Sequence, residues 1–218
     1  MPLNNHLNIA IIGFGDLGKQ FYLYLKEAYP LANFVAFDDF ATYTLNNEVQ
    51  LFAFQAFKNK EFESYHFYAA LGYKRANDKK TIIDWLVAQK RAIPAFIHTS
   101  AILSPQSSVA DGVFIFPGVI LDTQTIIEIG TILHLGVTVA HNSIIGNCTY
   151  LSPKVVVSGF SKIGDFTFVG SGTIISNGVT IGKNVCIGIG SVITENIADD
   201  ASVIGNPFKI ISKPLKIQ

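Results

Sequence analysis

The sequence has little cysteine, no net charge and no long apolar run, and each absence excludes a class of protein. Its two cysteines, Cys148 and Cys186, are far apart and form no metal-type spacing, so no metal site is expected. The 16 basic residues balance 16 acidic ones, which argues against nucleic-acid binding. No apolar stretch of about 18 residues could span a membrane, and residues 1–8 lack a signal-peptide pattern. We therefore expect a reduced, cytoplasmic protein.

The composition changes near Pro94, which indicates a domain boundary. Before this residue, strand-like apolar runs alternate with helix-like stretches. After it, Gly, Ser, Thr, Val and Ile dominate, and long helical patterns are absent. The chain is therefore predicted to form two domains, residues 1–94 and residues 95–218.

An aliphatic residue stands at every sixth position after Pro94 for 17 consecutive steps, and the series ends at Asp199. The fourth residue after each of them is small or short and β-branched at 16 of the 17 places, with Ile197 as the exception. The aliphatic positions are Ile97, Leu103, Val109, Ile115, Leu121, Ile127, Leu133, Val139, Ile145, Leu151, Val157, Ile163, Val169, Ile175, Ile181, Ile187 and Ile193.

A period of six that continues through the turns is typical of a hexapeptide-repeat β-helix, in which three short strands and their turns close one triangular coil. The aliphatic side chain points inward and stacks on its counterpart one coil away, at the ~4.8 Å strand spacing. The second inward position must be small because the interior is narrow. A β-sandwich, the alternative, would have no reason to keep this period through its loops. Residues 97 to about 198 are therefore predicted to form between five and six coils.

The first 94 residues predict the opening of a doubly wound α/β unit. Residues 7–12 form a buried strand in this interpretation, and Gly13-Phe14-Gly15-Asp16-Leu17-Gly18 leads from it into a helix. Further strands are expected at residues 33–37 and 65–71, and a second helix at residues 80–90.

The glycine pattern lies between a strand and a helix, where glycines let a phosphate approach the helix N-terminus. Asp38 follows the second strand and suits a ribose or sugar hydroxyl. About 90 residues are too few for both halves of a dinucleotide domain, so a single nucleotide is the better prediction. The alternative is that the glycines only form a tight turn.

The repeat resembles that of the hexapeptide acyltransferases, and the order of the two parts resembles their sugar O- and N-acyltransferases of the sialic acid O-acetyltransferase and UDP-amino-sugar N-acetyltransferase type. This resemblance spans nearly the whole chain. It implies a Rossmann-like nucleotide-sugar-binding domain at residues 1–94. It also implies a left-handed parallel β-helix acyltransferase domain with a C-terminal tail at residues 95–218, and a homotrimer. The matching segments are Gly13-Phe14-Gly15, Asp38-Asp39, Leu71-Gly72, Ile102 to Pro105, Val139 to Gly146 and Gly205-Asn206-Pro207.

Two histidines of one coil, His134 and His141, occupy outward positions where packing does not require them. Imidazole can accept a proton near neutral pH, as acyl transfer to an amine or hydroxyl requires. The resemblance implies that His141 is this general base and that the acceptor attacks the thioester directly. It also implies that Gly159, one coil further along in the same column, is the oxyanion donor through its backbone N–H.

The resemblance further assigns two sets of binding residues. Acetyl-CoA would contact Tyr150, Ser171 and Ile189, of which the last two are 18 residues apart and therefore stacked. The residues that would hold the nucleotide-sugar are Gly13, Gly15, Asp16, Leu17, Asp38, Asp39 and Gly72.

One position departs from the family pattern. Members usually have Asp or Glu where this chain has Asn142, which can accept a hydrogen bond from His141 but carries no charge. A weaker base, another carboxylate in this role or lost activity would each be consistent with the change. The sequence predicts acetyl transfer to an amino, or alternatively a hydroxyl, group of a nucleotide-linked sugar. Two alternatives are a non-catalytic binding or assembly protein on the same scaffold and a transferase that uses another acyl donor.

Overall fold

A computed structural model of the chain describes residues 7–41 and 48–211. The chain divides after Pro94 into two compact units. The first six residues and the predicted C-terminal tail beyond residue 211 lie outside the described residues.

The first unit is built on a parallel sheet with the strand order β3-β2-β1-β4. Residues 9–12 of the central strand β1 are fully buried, as their continuous apolar run predicts for a covered sheet. The sequence did not predict β3 or the short 3₁₀ segments, and the second helix begins four residues earlier than expected. The elements are β1 (Asn8–Ile12), α1 (Asp16–Ala28), β2 (Asn33–Phe37), β3 (Val49–Phe52), 3₁₀ segments at Phe54–Lys58 and Lys60–Phe62, β4 (His66–Ala69), a 3₁₀ segment at Tyr73–Arg75, and α2 (Ala76–Ala88).

The second unit is a parallel β-helix whose short strands form three sheets along its length. The first sheet contains β5 (Phe96–Ile97), β8 (Phe114–Ile115), β11 (Ile132–Leu133), β14 (Tyr150–Leu151), β17 (Phe168–Val169), β20 (Cys186–Ile187), β22 (Ser202–Ile204) and the antiparallel β23 (Lys209–Ile211). The second contains β6 (Ile102–Leu103), β9 (Ile120–Leu121), β12 (Thr138–Val139), β15 (Val156–Val157), β18 (Ile174–Ile175) and β21 (Val192–Ile193). The third contains β7 (Ser108–Val109), β10 (Ile126–Ile127), β13 (Ile144–Ile145), β16 (Lys162–Ile163) and β19 (Thr180–Ile181).

Each strand pairs in register with the strand 18 residues further on, so the predicted columns are present. In the third sheet, for example, Ile127 pairs with Ile145, which pairs with Ile163. The aliphatic positions between Ile115 and Ile193 are at most 2% exposed and form one continuous core. The hexad pattern therefore identified the buried residues of this unit correctly.

The turn of each hexad places its third residue after the aliphatic residue in the left-handed region of backbone space. Glycine adopts this conformation without a steric penalty, and Asn tolerates it better than most other residues. The positive φ values recur every six residues at Gly112, Gly118, Gln124, Gly130, Gly136, Asn142, Cys148, Lys154, Phe160, Phe166, Gly172, Gly178, Asn184 and Gly190.

The last coil is two residues shorter than the others, which explains the exceptional isoleucine. Ile197 forms a parallel bridge with Ile181, and Ser202 pairs with Cys186, in each case across 16 residues. The assignment of Ile197 to a small inward position is therefore wrong, because Ile197 occupies the next aliphatic column. The regular repeat ends after Ile193.

The small inward residues form a polar ladder inside the apolar core. The Thr149 hydroxyl is fully buried and donates to the Gly164 carbonyl at 3.0 Å, and Thr131 makes the same bond to Gly146 at 2.7 Å. Ser143 and Ser161 repeat the pattern, always to the residue 15 places further on. These hydroxyls thereby satisfy carbonyls that would otherwise be buried without a partner.

Replacing Thr149 by Val should destabilise the protein by about 1–3 kcal/mol, because the shape is kept while a buried carbonyl loses its donor. Chemical denaturation measures this loss. The matched control is Thr180→Val on the exposed face of β19, which should change stability by less than about 0.5 kcal/mol. Equal stability of the two variants would contradict the role given to the ladder.

Candidate functional site

The turn between the second and third sheets carries the predicted general base. Successive coils place Thr123, His141, Gly159 and Asn177 at the same point of this turn, and we call this column the histidine corner. Backbone hydrogen bonds hold the coils together here: the Phe160 N–H donates to the His141 carbonyl at 3.0 Å. The predicted stacking of Gly159 on His141 is therefore present.

A chain of two amides orients the His141 ring. Nδ1 of His141 lies 3.1 Å from Oδ1 of Asn142, whose Nδ2 donates to Oε1 of Gln124 one coil away. Because this second bond directs the Asn142 oxygen toward the histidine, Nδ1 is the donor and Nε2 is left as an acceptor. Asn142 thus performs the orienting role expected of an acidic residue, without its charge. Gln124 was missed by the sequence analysis, although it stands 18 residues before Asn142.

Gly159 leaves open the space beside the imidazole. A Cβ atom at this residue would lie 2.7 Å from Cε1 and 2.8 Å from Nε2 of His141, closer than real Cβ contacts come. The Gly159 N–H has no hydrogen-bond acceptor among the described residues. The absence of a side chain therefore keeps a free amide donor next to the acceptor nitrogen of His141.

Two further side chains border this space, and the sequence analysis identified neither. Phe160 contacts His141 edge to face, with ring centroids 4.9 Å apart, although it is 56% exposed and has a positive φ of 58°. An exposed aromatic residue in this conformation is unusual and points to a function. Oδ1 of Asn177 lies 3.1 Å from the point where a Gly159 Cβ would stand.

The three predicted acetyl-CoA contacts lie away from the histidine corner. Ser171 and Ile189 are exposed at the turn between the first and second sheets, and the Gly190 N–H donates to the Ser171 carbonyl at 2.8 Å. Tyr150 lies on the outer face of the first sheet, between His134 and Phe168. Because the second sheet separates the two turns, one chain does not bring these residues to His141.

The expectation that outward histidines escape packing is wrong for His134. Its ring stacks on Phe116 with centroids 4.2 Å apart, and it is only 9% exposed. Nδ1 accepts the Leu135 N–H at 3.0 Å. Burial lowers the pKa of His134 below its usual value, so the ring stays neutral and serves the packing of the first sheet.

The glycine motif of the first unit combines tight packing with an open edge. Gly13 has a φ of +87°, and a Cβ there would lie 3.1 Å from the Ala70 carbonyl oxygen, while a Cβ at Gly18 would collide with the Gly13 carbonyl. These two glycines are required by the turn itself. Gly15 and Gly72 have no atom within 4 Å of a built Cβ, so their backbones border open space.

The carboxyl ends of parallel strands share one edge of the sheet, and the remaining predicted contacts lie there. Asp16 and Leu17 begin α1 directly after this edge. The Asp38 carboxylate accepts the N–H groups of Phe14 at 2.6 Å, Phe40 at 2.8 Å and Ala41 at 3.1 Å. Asp39 accepts the Phe54 N–H at 2.8 Å. Asp38 therefore ties the loops after β1 and β2 together, a role that the sequence analysis did not assign.

A cavity of about 270 Å³ lies between the 3₁₀ segment Phe54–Lys58 and α2. Two cations lie against its aromatic walls: Arg75 is 5.2 Å from the Phe54 ring, and Lys58 is 5.8 Å from the Trp85 ring. Asp78 pairs with Arg75 at 2.8 Å. The sequence offered only a weak signal for this cavity, the density of phenylalanine between residues 52 and 62.

Over residues 7–41 and 48–211, no cluster of three or more His, Cys, Asp or Glu side chains could hold a metal ion. Within the same part of the chain, no helix has both the length and the apolar character to cross a membrane.

Replacing Gly159 by Ala should displace the His141 ring, because the new methyl group would overlap it while the backbone conformation remains accessible to alanine. NMR of the histidine ring protons should show changed His141 shifts, since the ring moves relative to Phe160. Stability should fall by no more than about 1 kcal/mol, because a half-buried turn side chain can move aside. Unchanged His141 resonances would contradict this packing.

Comparison with known proteins shows both the repeat and the fold. Residues 160–195 match the family model described as bacterial transferase hexapeptide (six repeats). A search of curated proteins gives no match.

Several solved structures share the fold over almost the whole chain. The acetyltransferase domain of PglB from Neisseria gonorrhoeae has a TM-score of 0.87 at 24% identity, covering 95% of this chain and 100% of that one. PerB from Caulobacter crescentus, in complex with CoA and GDP-perosamine, has a TM-score of 0.83 at 23% identity, with coverage of 94% and 97%. WeeI from Acinetobacter baumannii has a TM-score of 0.84 at 20% identity, with coverage of 94% and 100%.

The predicted fold, an N-terminal α/β unit followed by a left-handed parallel β-helix, is therefore confirmed. The chain carries the hexapeptide repeat of bacterial transferases and shares its fold with these acetyltransferase structures.

Proposed function

We propose that this protein transfers an acetyl group from acetyl-CoA to an amino group of a nucleotide-linked sugar, with a hydroxyl acceptor as the close variant. The observation that carries the proposal is the arrangement at the histidine corner. There, the acceptor nitrogen of His141 and the unpartnered N–H of Gly159 border the same open space.

In this proposal His141 is the general base. Nε2 takes a proton from the amine as the amine nitrogen attacks the thioester carbonyl, and a tetrahedral intermediate forms. The intermediate then collapses, the carbon–sulfur bond breaks, and the imidazolium returns the proton to the departing CoA thiolate. No enzyme nucleophile is needed. Asn142 keeps Nδ1 as the donor, so that Nε2 is available for this step.

Gly159 is the proposed oxyanion donor. Its N–H requires no rearrangement to meet the developing negative charge, because no described residue competes for it. Removing one such donor in other acyl-transfer enzymes costs about 10²–10³ in kcat. A side chain at residue 159 would fill the space that the intermediate needs.

Acetyl-CoA is the proposed acyl donor, held through Tyr150, Ser171 and Ile189. The PglB acetyltransferase domain has been solved in complex with acetyl coenzyme A, and PerB with CoA. The exposed turn residues Ser171 and Ile189 stack along the helix axis, as a long pantetheine arm would require.

A homotrimer would bring the two groups of residues together between neighbouring subunits. The second sheet, which separates the two turns, presents an apolar outer face in which Ile102 is 65%, Ile120 41% and Ile174 45% exposed. A second copy of the chain packed against this face could place its Ser171 and Ile189 beside His141. The exposed aliphatic column supports this assembly, since contiguous apolar surface commonly marks an interface.

The first unit is the proposed binding site of the nucleotide-sugar. Gly15 and Gly72 leave backbone open at the carboxyl edge of the sheet, where Asp16 and Leu17 begin a helix whose N-terminus favours phosphate. The second oxygen of Asp39 remains available for a hydroxyl, while Asp38 acts mainly on the loops. PerB, which shares this fold, was solved with GDP-perosamine.

The proposed activity can be tested by measuring CoA release from acetyl-CoA with UDP-, dTDP- and GDP-linked amino sugars, including GDP-perosamine. The wild type should turn over at least one of them, and His141→Ala should lower kcat by about 10²-fold or more while the fold is retained. Longer acyl-CoA thioesters and an acyl carrier protein, tested as donors, distinguish the other-donor alternative. Equal rates for the wild type and His141→Ala would favour a binding or assembly protein.

Restoring a carboxylate beside the histidine should increase the proposed activity. Asn142→Asp should raise kcat several-fold, roughly 3–10, because a negative charge stabilises the imidazolium that forms in the transition state. Asp tolerates the left-handed conformation of residue 142 about as well as Asn does, so the fold should be unaffected. Asn142→Gly, which keeps the turn and removes the orienting oxygen, should be slower than the wild type. An unchanged rate in both variants would show that residue 142 serves only the turn.

A further inference from the structure

We infer that Asn177 selects an amine over a hydroxyl as the acceptor, by receiving the second N–H of the attacking nitrogen. This inference rests on the proposed acyl transfer and deepens it, since it assigns the acceptor class to a residue that neither the repeat nor the family resemblance singled out.

Asn177 reaches the reaction space because Gly159 has no side chain. It occupies the next turn of the histidine corner, so Gly159 lies between it and His141. Its Oδ1 is 3.1 Å from the point where a Gly159 Cβ would stand, and Nε2 of His141 is 2.8 Å from the same point. Two acceptor atoms from different coils therefore converge on one small space.

The Asn177 side chain has no partner inside the protein that would explain its direction. It is exposed, and neither atom of its amide forms a hydrogen bond with any residue in the described part of the chain. Asn147, by contrast, stands at the same turn position between the third and first sheets and donates to Asp165 at 2.9 Å. Asn177 is therefore available to contact a bound molecule, whereas Asn147 stabilises its own turn.

The number of hydrogens on the acceptor decides which substrate fits two acceptor atoms. An attacking primary amine directs its lone pair at the thioester carbonyl and has two N–H groups, one for His141 Nε2 and one for Asn177 Oδ1. A hydroxyl has a single hydrogen, which His141 takes as the base. Its remaining lone pair would then face the Asn177 oxygen without a hydrogen between them. A site built for two donors discriminates strongly against an analogue that lacks one.

The test compares Asn177→Ala, Asn177→Asp and the matched control Asn147→Ala, using the amino-sugar nucleotides that the wild type acetylates and their counterparts with a hydroxyl in place of the amine. GDP-perosamine and GDP-rhamnose form one such pair. Asn177→Ala should lower kcat/KM for the amine by about 10-fold or more and reduce the preference for amine over hydroxyl. Asn177→Asp keeps an acceptor oxygen and should retain more amine activity than Asn177→Ala. Asn147→Ala should leave the preference unchanged.

Three outcomes would overturn the inference. Asn177→Ala could behave like Asn147→Ala with both acceptors, which would make Asn177 an ordinary turn residue. Asn177→Asp could be slower than Asn177→Ala, which would mean that the amide nitrogen donates to the oxyanion, since a carboxylate there would repel it. Absence of turnover by the wild type with every amino sugar would instead overturn the proposed function, and this inference with it.

Discussion

Backbone hydrogen bonding between successive coils is the constraint on which the second unit depends. The Ala140 N–H donates to the Val157 carbonyl at 2.8 Å, and the Ser158 N–H to the Ile175 carbonyl at 2.8–2.9 Å spacing typical of the whole ladder. Because each regular coil contains the same number of residues, every side chain lies above the residue 18 places further along. A column of such residues cannot shift without breaking the pairing of an entire coil. The position of His141 over Gly159 is therefore a consequence of chain length between turns.

This regularity explains why the second unit could be predicted and why parts of its site could not. The inward residues, the outward place of His141 and its stacking on Gly159 all follow from counting. The direction of an outward side chain does not, because it depends on space left by neighbours. Asn177 reaches toward His141 only because Gly159 is empty, and Phe160 contacts the imidazole only in its left-handed backbone conformation. Both features appear when side chains are placed.

The first unit lacks such a period, and its prediction was correspondingly less complete. The strands around the glycine motif were found because they are long apolar runs. The segment from Val49 to Phe62 was not assigned, because a four-residue strand and two 3₁₀ segments produce no recognisable alternation. Asp38 was predicted as a ligand contact from its position after a strand. Its three backbone donors come from two loops, and only the folded chain shows that they converge on it.

The two outward histidines of one coil show what makes such a residue available for chemistry. His134 and His141 occupy equivalent faces of neighbouring sheets, yet Phe116 covers the first, whereas Gly159 leaves the second open. The difference lies in the residue one coil away, since a stacked aromatic ring buries the imidazole and a glycine exposes it. The orientation of the open ring is then set by the left-handed turn at Asn142, which directs an amide oxygen back at Nδ1. A histidine between a stacked glycine and a left-handed Asn is thus both exposed and held in one tautomer, and the repeat provides these two conditions at a single corner of the coil.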